Sequence, residues 1–145
     1  MGMHLVMIDD LFADQECGLP KTETLAAGAM LLRGFAKEAA TEILSAVQEI
    51  SVATPFRHMK TPSGHSMSVG MTNCGSYGWV TDSKGYRYSS VDPESGKSWP
   101  EMPDSFLRLA GDSALEAGFP DYLPDACLIN RYVPGAKMSL HQDKD

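Results

Sequence analysis

Apolar and small residues recur at Ala36, Ala40, Ile43, Leu44, Val47 and Ile50, in steps of three and four that draw one stripe along a helix. The segment is rich in Ala, Glu and Leu, so a helix is predicted over residues 36–51, ended by Pro55. A second helix is predicted over residues 103–117. Pro103 suits its first turn, Asp104 complements its N-terminal dipole and Gly118 suits its C-terminal cap, with Phe106, Ala110, Ala114 and Ala117 on the inner face. The apolar run 27–32, closed by Gly34, predicts a buried strand, and residues 67–71 alternate as a half-buried one. Residues 126–132 read as a further strand, with Leu128, Asn130 and Tyr132 on one face and Cys127, Ile129 and Arg131 on the other. Pro134-Gly135 makes a turn, and another strand is predicted over 138–143. Between 72 and 99 the chain is rich in Gly, Ser, Asp and Tyr without periodicity, the pattern of a functional loop or irregular sheet edge. Residues 1–24 are acidic and aperiodic and read as a loosely held N-terminal extension, leaving 25–145 as the domain.

The order of elements predicts an α+β domain. A length of 145 residues, 43% hydrophobic, fits one soluble globular domain. No apolar run approaches the roughly 18 residues that cross a bilayer. The N-terminus has no basic region, and Val6 stands where myristoylation wants Ser or Thr, so a cytoplasmic address without membrane attachment is the expectation. Cys17, Cys74 and Cys127 are odd in number and widely spaced, which predicts reduced thiols, with Cys74 and Cys127 as core packing.

Charge changes the picture locally. The net charge of −7 argues against broad, charge-driven nucleic-acid binding. Yet residues 51–100 hold 5 basic and 3 acidic groups, the one net-positive third, together with Tyr77, Trp79, Tyr86, Tyr88 and Trp99. Basic groups interleaved with aromatics suit a surface that stacks on bases and touches phosphates.

The candidate chemistry lies near the C-terminal end. On extended backbone, His141-x-Asp143 points an imidazole and a carboxylate to one side, two of the three ligands of the facial Fe(II) site of non-haem oxygenases. Asp145 projects the same way, where it can accept a hydrogen bond from a substrate amine. Asn130 and Tyr132 can together bond the carboxylates of an organic acid. Trp79 and the run Tyr86-Arg87-Tyr88 can clamp a flipped base. Each also has a plain alternative: a solvated histidine among acids, an amide and phenol satisfied by backbone, ordinary surface aromatics.

The blocks Met67-Ser68-Val69-Gly70-Met71-Thr72-Asn73-Cys74-Gly75, Gly78-Trp79, Gly85-Tyr86-Arg87-Tyr88-Ser89, Trp99-Pro100, residues 124–132 and residues 134–145 together resemble the AlkB family of Fe(II)- and 2-oxoglutarate-dependent dioxygenases. The resemblance runs from about Leu11. It implies an N-terminal substrate lid, over about 51–100, and the first part of a jelly-roll (double-stranded β-helix) core. It implies oxidative demethylation of 1-methyladenine and 3-methylcytosine in DNA, mainly single-stranded, or in RNA, with 2-oxoglutarate and O2 as co-substrates and formaldehyde released by a monomer. Carried over, His141 and Asp143 become iron ligands; Asn130, Arg131 and Tyr132 fall where 2-oxoglutarate binds. Trp79 matches the base-stacking aromatic, Tyr86, Arg87 and Tyr88 the lid contacts, Asp145 the acid that recognises the exocyclic amine, and Met71 lies near that pocket.

The family's third iron ligand, a downstream histidine, and its 2-oxoglutarate-gripping arginines match no residue here. His4, His58 and His65 fit no ligand position, and His65 stands where the family leads us to expect Tyr. Three or four strands also fall short of the roughly eight of a double-stranded β-helix. The expectation is a piece of a longer protein with little catalysis of its own. Two rival functions stand beside repair: an iron oxygenase of a protein or metabolite, and a non-catalytic nucleic-acid-binding module.

Overall fold

The computed structural model describes residues 21–141. Within them run β1 (Thr22–Ala26), β2 (Ala29–Leu32), α1 (Ala40–Ala53), β3 (Gly70–Gly75), β4 (Gly78–Asp82), β5 (Gly85–Ser89), α2 (Asp104–Glu116) and β6 (Ala126–Arg131). The mixture of helices with antiparallel strand pairs is the α+β class the sequence predicts, and it is consistent with a portion of a jelly roll. The chain divides into two compact units after Phe35.

In the described part of the first unit β1 pairs antiparallel with β2 as a hairpin, Thr22 opposite Leu32. Arg33 forms an ion pair with Glu23 on it. Residues 22–24, expected in the loose extension, are therefore strand, and the rest of that extension lies outside the described residues.

In the second unit, α1 begins four residues later than predicted because the chain turns through 33–39 before the helix starts. Ile43 and Val47 are half-buried and Ile50 is buried, whereas Leu44, one residue round from Ile43, points to solvent. The helix stops at Thr54, which is extended because Pro55 follows it. The Thr54 carbonyl accepts a hydrogen bond from Thr72 Oγ1 at 2.7 Å, which ties the helix end to β3.

β3 pairs antiparallel with β6, placing Met71 opposite Asn130, Asn73 opposite Leu128 and Cys74 opposite Cys127. On its other side Arg57 and Met71 exchange both backbone hydrogen bonds, at 3.0 and 2.9 Å. The strand predicted over 67–71 thus runs later, and Asn73 prolongs the core-facing series begun by Met71.

The stretch expected to be loop or sheet edge contains a regular hairpin instead. β4 and β5 pair antiparallel across Ser83-Lys84, with Trp79 opposite Tyr88 and Thr81 opposite Tyr86. Gly85 closes the turn at φ +103°, a conformation without steric cost for glycine. The hairpin hid from the periodicity because its alternation sets aromatic and hydroxyl side chains against charged ones, with few aliphatics on either face.

The core of this unit gathers Met59, Val69, Met71, Val80 and Trp99, with Met67, Trp79 and Met138 packed against it. Trp99 donates from its indole N–H to the Ser89 carbonyl at 2.7 Å, and Gly78 lies flat against its ring. Pro103 stands at the N-cap of α2, one place before the predicted first turn, and Gly118 turns the chain after it.

The strand predicted over 138–143 does not form in its described part, up to His141. Just before it, Ser68 Oγ donates to the Lys137 carbonyl at 2.9 Å and accepts from the Lys137 N–H at 3.1 Å. A side chain thereby satisfies the two backbone groups that a neighbouring strand would otherwise pair.

Candidate functional site

The pleat of the hairpin sorts its residues into two chemistries. Trp79, Thr81, Tyr86 and Tyr88 share one face, since cross-strand partners lie on the same side. Trp79 and Tyr86 stack there with ring centroids 5.7 Å apart and planes 27° from parallel. Tyr86 and Tyr88 are exposed, so the face offers aromatic surface to a flat partner. Val80 and Arg87 occupy the opposite face.

Arg87 reaches Asp82 through two hydrogen bonds, at 2.9 and 2.8 Å. The bond from Arg87, aided by the Lys84 backbone N–H, holds the Asp82 carboxyl down to a pKa of about 2. The structure therefore separates Arg87 from Tyr86 and Tyr88, with which the sequence grouped it. Arg57 is committed in the same way. It bonds Asp92 at 2.5 Å and Glu94 at 3.0 Å, and its guanidinium lies 5.6 Å from the centre of the Trp99 ring. Burial opposes ionisation of Asp92, but hydrogen bonds from Arg57, Ser95 and the Glu94 N–H prevail and hold its pKa at about 2. Two of the five basic groups behind the positive middle third are thus neutralised internally. Aromatic stacking, more than charge, is what this region offers a flat partner.

Met71 is buried in the core, in the cluster that Trp79 and Met138 join. Asn130 sits opposite Met71 on β6. Tyr132 follows the end of β6, is half exposed, and its hydroxyl lies 4.0 Å from Met138 Sδ. Arg131 faces the other way, with its guanidinium 4.5 Å over the Phe56 ring, so the pleat parts it from Asn130. His141 is exposed, with Nδ1 2.9 Å from the Ser139 carbonyl. Asp143 and Asp145 lie outside the described residues. Among the described residues no group of three His, Cys, Asp or Glu side chains is placed to hold a metal ion. No described helix is long and apolar enough to cross a membrane.

Cys74 and Cys127, read as core packing, face one another across β3 and β6. Cys74 is buried and Cys127 partly so, both as thiols. The hydrogen bond between them, followed by burial, pushes Cys74 up, and the same bond draws Cys127 down. A cleft of ≈ 320 Å³ opens beside β4, lined by Arg57, His58, Lys60, Thr81, Asp82 and Glu94 among others. None of the described residues among the predicted site residues lines it.

Sequence reasoning overlooked three residues that build the aromatic face. Asn73, fully buried, donates from Nδ2 to the Trp79 carbonyl at 3.0 Å and accepts the Trp79 N–H at Oδ1 at 2.9 Å. Gly78 gives Trp99 its room, and Asp92 holds the loop after β5. Two signals were available: a polar residue in phase with the buried Met71, and Asp92-Pro93 ahead of Ser95-Gly96, an Asx-turn pattern.

The family model of the 2OG-Fe(II) oxygenase superfamily matches residues 28–145. The chain belongs to that superfamily, which implies Fe(II) and 2-oxoglutarate as its cofactor and co-substrate. It is 56% identical over 136 residues to the alpha-ketoglutarate-dependent dioxygenase AlkB of Escherichia coli strain K12. Identity is 52% over 136 residues to the AlkB of Salmonella typhimurium strain LT2. In both cases 94% of this chain and 62% of the relative are covered. The AlkB homolog of Caulobacter vibrioides strain NA1000 is 44% identical over 103 residues, 71% of this chain and 45% of that protein. The chain thus spans less than two thirds of the length of these curated relatives.

The described residues fit part of the implied group. A proton on His141 Nδ1, shared with the Ser139 carbonyl, puts the ring lone pair on Nε2, the form in which imidazole binds a metal. Asn130 and Tyr132 supply an amide and a phenol from one strand and its continuation, both suited to an organic acid.

Proposed function

We propose that the chain is the substrate-recognition and first-ligand portion of an oxidative demethylase of N-alkylated bases in nucleic acid. Its substrates are 1-methyladenine and 3-methylcytosine in DNA, preferentially single-stranded, with RNA as an alternative. The observation that carries this reading is the Trp79–Tyr86 stack on the open face of the hairpin, beside the cluster that holds Met71 and Met138. Base stacking on an aromatic contributes about 1–3 kcal/mol per base and tolerates any base. Residues 51–100 act as the nucleotide-recognition lid.

Trp79 binds the flipped base, Tyr86 extends the stacking surface, and Tyr88 borders the strand that carries the base, while Arg87 braces the hairpin turn from the opposite face through Asp82. His141 and Asp143 hold Fe(II), while Asn130 and Tyr132 orient 2-oxoglutarate and Arg131, turned onto Phe56, stands behind them. Asp145 accepts a hydrogen bond from the exocyclic amine, and Met71 backs the pocket. Fe(II) held by His141 and Asp143 would supply, with 2-oxoglutarate and O2, the oxidation of the N-methyl carbon to a product that releases formaldehyde. The protein's own part is to fix the base and keep water from the reacting carbon. A cytoplasmic monomer is the proposed context, and the 145 residues alone are proposed to turn over little or no substrate.

The test is formaldehyde release from a 1-methyladenine oligonucleotide by the full-length gene product with Fe(II), O2 and 2-oxoglutarate. Trp79→Ala is expected to weaken oligonucleotide binding by about 10- to 100-fold, the equivalent of one lost stack. Equal activity of wild type and Trp79→Ala on a protein or metabolite, with none on methylated DNA, refutes the repair reading. Metal-independent DNA binding without turnover by the full-length product assigns a binding module instead.

A further inference from the structure

We infer that Asn73 is a positioning residue for base recognition, acting through the backbone of Trp79. This rests on the reading of Trp79 as the stacking residue.

Three observations carry it. Asn73 has no exposed surface, so its carboxamide must find partners inside the protein. Both ends of that amide go to one residue: Nδ2 donates to the Trp79 carbonyl at 3.0 Å, and Oδ1 accepts the Trp79 N–H at 2.9 Å. An amide that donates and accepts in this way imitates a neighbouring strand. It satisfies the two backbone groups that Trp79 turns away from β5. The third observation is what lies on either side. Gly78 is seated against the Trp99 indole, with no space for a Cβ, and Val80 is buried in the core. The Trp79 backbone is therefore fixed on three sides while its half-buried ring remains on the aromatic face. The hairpin is joined to β3 at the residue whose ring would meet the base. A shift of that backbone would move the ring and leave the iron-side residues His141, Asn130 and Tyr132 in place.

The fingerprint is a split in kinetic constants. In the full-length gene product, Asn73→Ala is expected to raise KM for a 1-methyladenine trinucleotide about tenfold or more, since small misplacements of positioning groups are costly. Its kcat is expected to stay within about threefold, because the chemistry follows once the base is seated. In a Trp79→Ala background the same substitution is expected to add little, as both changes disable one contact. An Asn73→Ala protein with lowered kcat and unchanged KM has lost folded enzyme only, and that result overturns the inference. If Trp79→Ala raises KM and Asn73→Ala does not, the inference falls while the stacking reading stands. If Trp79→Ala leaves KM unchanged, the stacking reading fails and the inference falls with it. Should Asn73→Ala not fold, Asn73→Ser provides the same split. A measurement on the wild type stands apart from any variant: the Trp79 amide is expected to exchange with solvent as slowly as the amides of β3. Exchange at the rate of an open strand edge overturns the clamp.

Discussion

Trp79 and His141 carry the two halves of the proposed chemistry, and the chain holds them by different means. The Trp79 side rests on buried groups: Asn73 on its backbone, Trp99 against Gly78, and Asp92 gripping Arg57 and the loop behind. The His141 side is exposed, and the bonds around it lie at the surface, among them Nδ1 to the Ser139 carbonyl and Ser68 to Lys137 across 69 positions of the chain. A stacking platform must be rigid before the base arrives, because ordering it on binding would subtract from the affinity. A metal ligand can be drawn into place by the metal, since coordination supplies energy that a stack does not. The difference predicts that changes on the aromatic side alter folding and substrate binding together, whereas changes on the iron side alter metal loading with little effect on the fold.

The largest effect expected is at His141. In the full-length gene product His141→Ala should lower turnover by at least about 100-fold, since even changes one shell out cost roughly 10–100-fold in metal affinity. Oligonucleotide binding, measured by fluorescence anisotropy without iron, should stay within about twofold. A comparable loss of binding would break the division between the halves.

On the aromatic side, Gly78→Ala sets a Cβ against the Trp99 indole. Overpacking of this kind costs about 1–3 kcal/mol, visible as a lower midpoint in urea unfolding of the same protein. An unchanged midpoint would show that the hairpin yields without penalty and that the platform is not rigid.

A similar effect with a pH signature is expected at Asp92. Its pKa in the folded chain is about 2 against an ordinary 3.8. A lowered folded-state pKa adds stability that is fully present above the ordinary value and disappears as pH falls from about 4 towards 2. Asp92→Asn should therefore cost about 2 kcal/mol at neutral pH, and the gap to wild type should close across that window. A gap independent of pH would mean that the Arg57–Asp92 pair contributes through packing alone.

Much of the molecule was legible in the order of its residues. α1, α2 and β6 follow from steps of three and four and of two, because burying one face of a helix or strand forces those periods on the sequence. Their edges shifted by a few residues, at the start of α1 and at Pro103, where turns compete with the first helical bonds. β4 and β5 were not legible. Their faces are distinguished by aromatic against charged residues, and hydrophobicity is a poor index of that contrast. The strand expected over 138–143 does not form in its described part either, and just before it a side chain, Ser68, and not a strand pairs the Lys137 backbone.

By itself the sequence determined the α+β class, the resemblance that singles out Trp79, Asn130, Tyr132 and His141, and the superfamily to which the chain belongs. These depend on residue identity and local period, which travel with the chain. Tertiary structure alone decided which side of a pleat each residue occupies and what answers it across space. It parted Arg87 from Tyr86 and Tyr88, turned Arg131 onto Phe56, and set Asn73 beneath Trp79. Such choices belong to register and crossing, where residues far apart in the chain meet, and no local pattern encodes them.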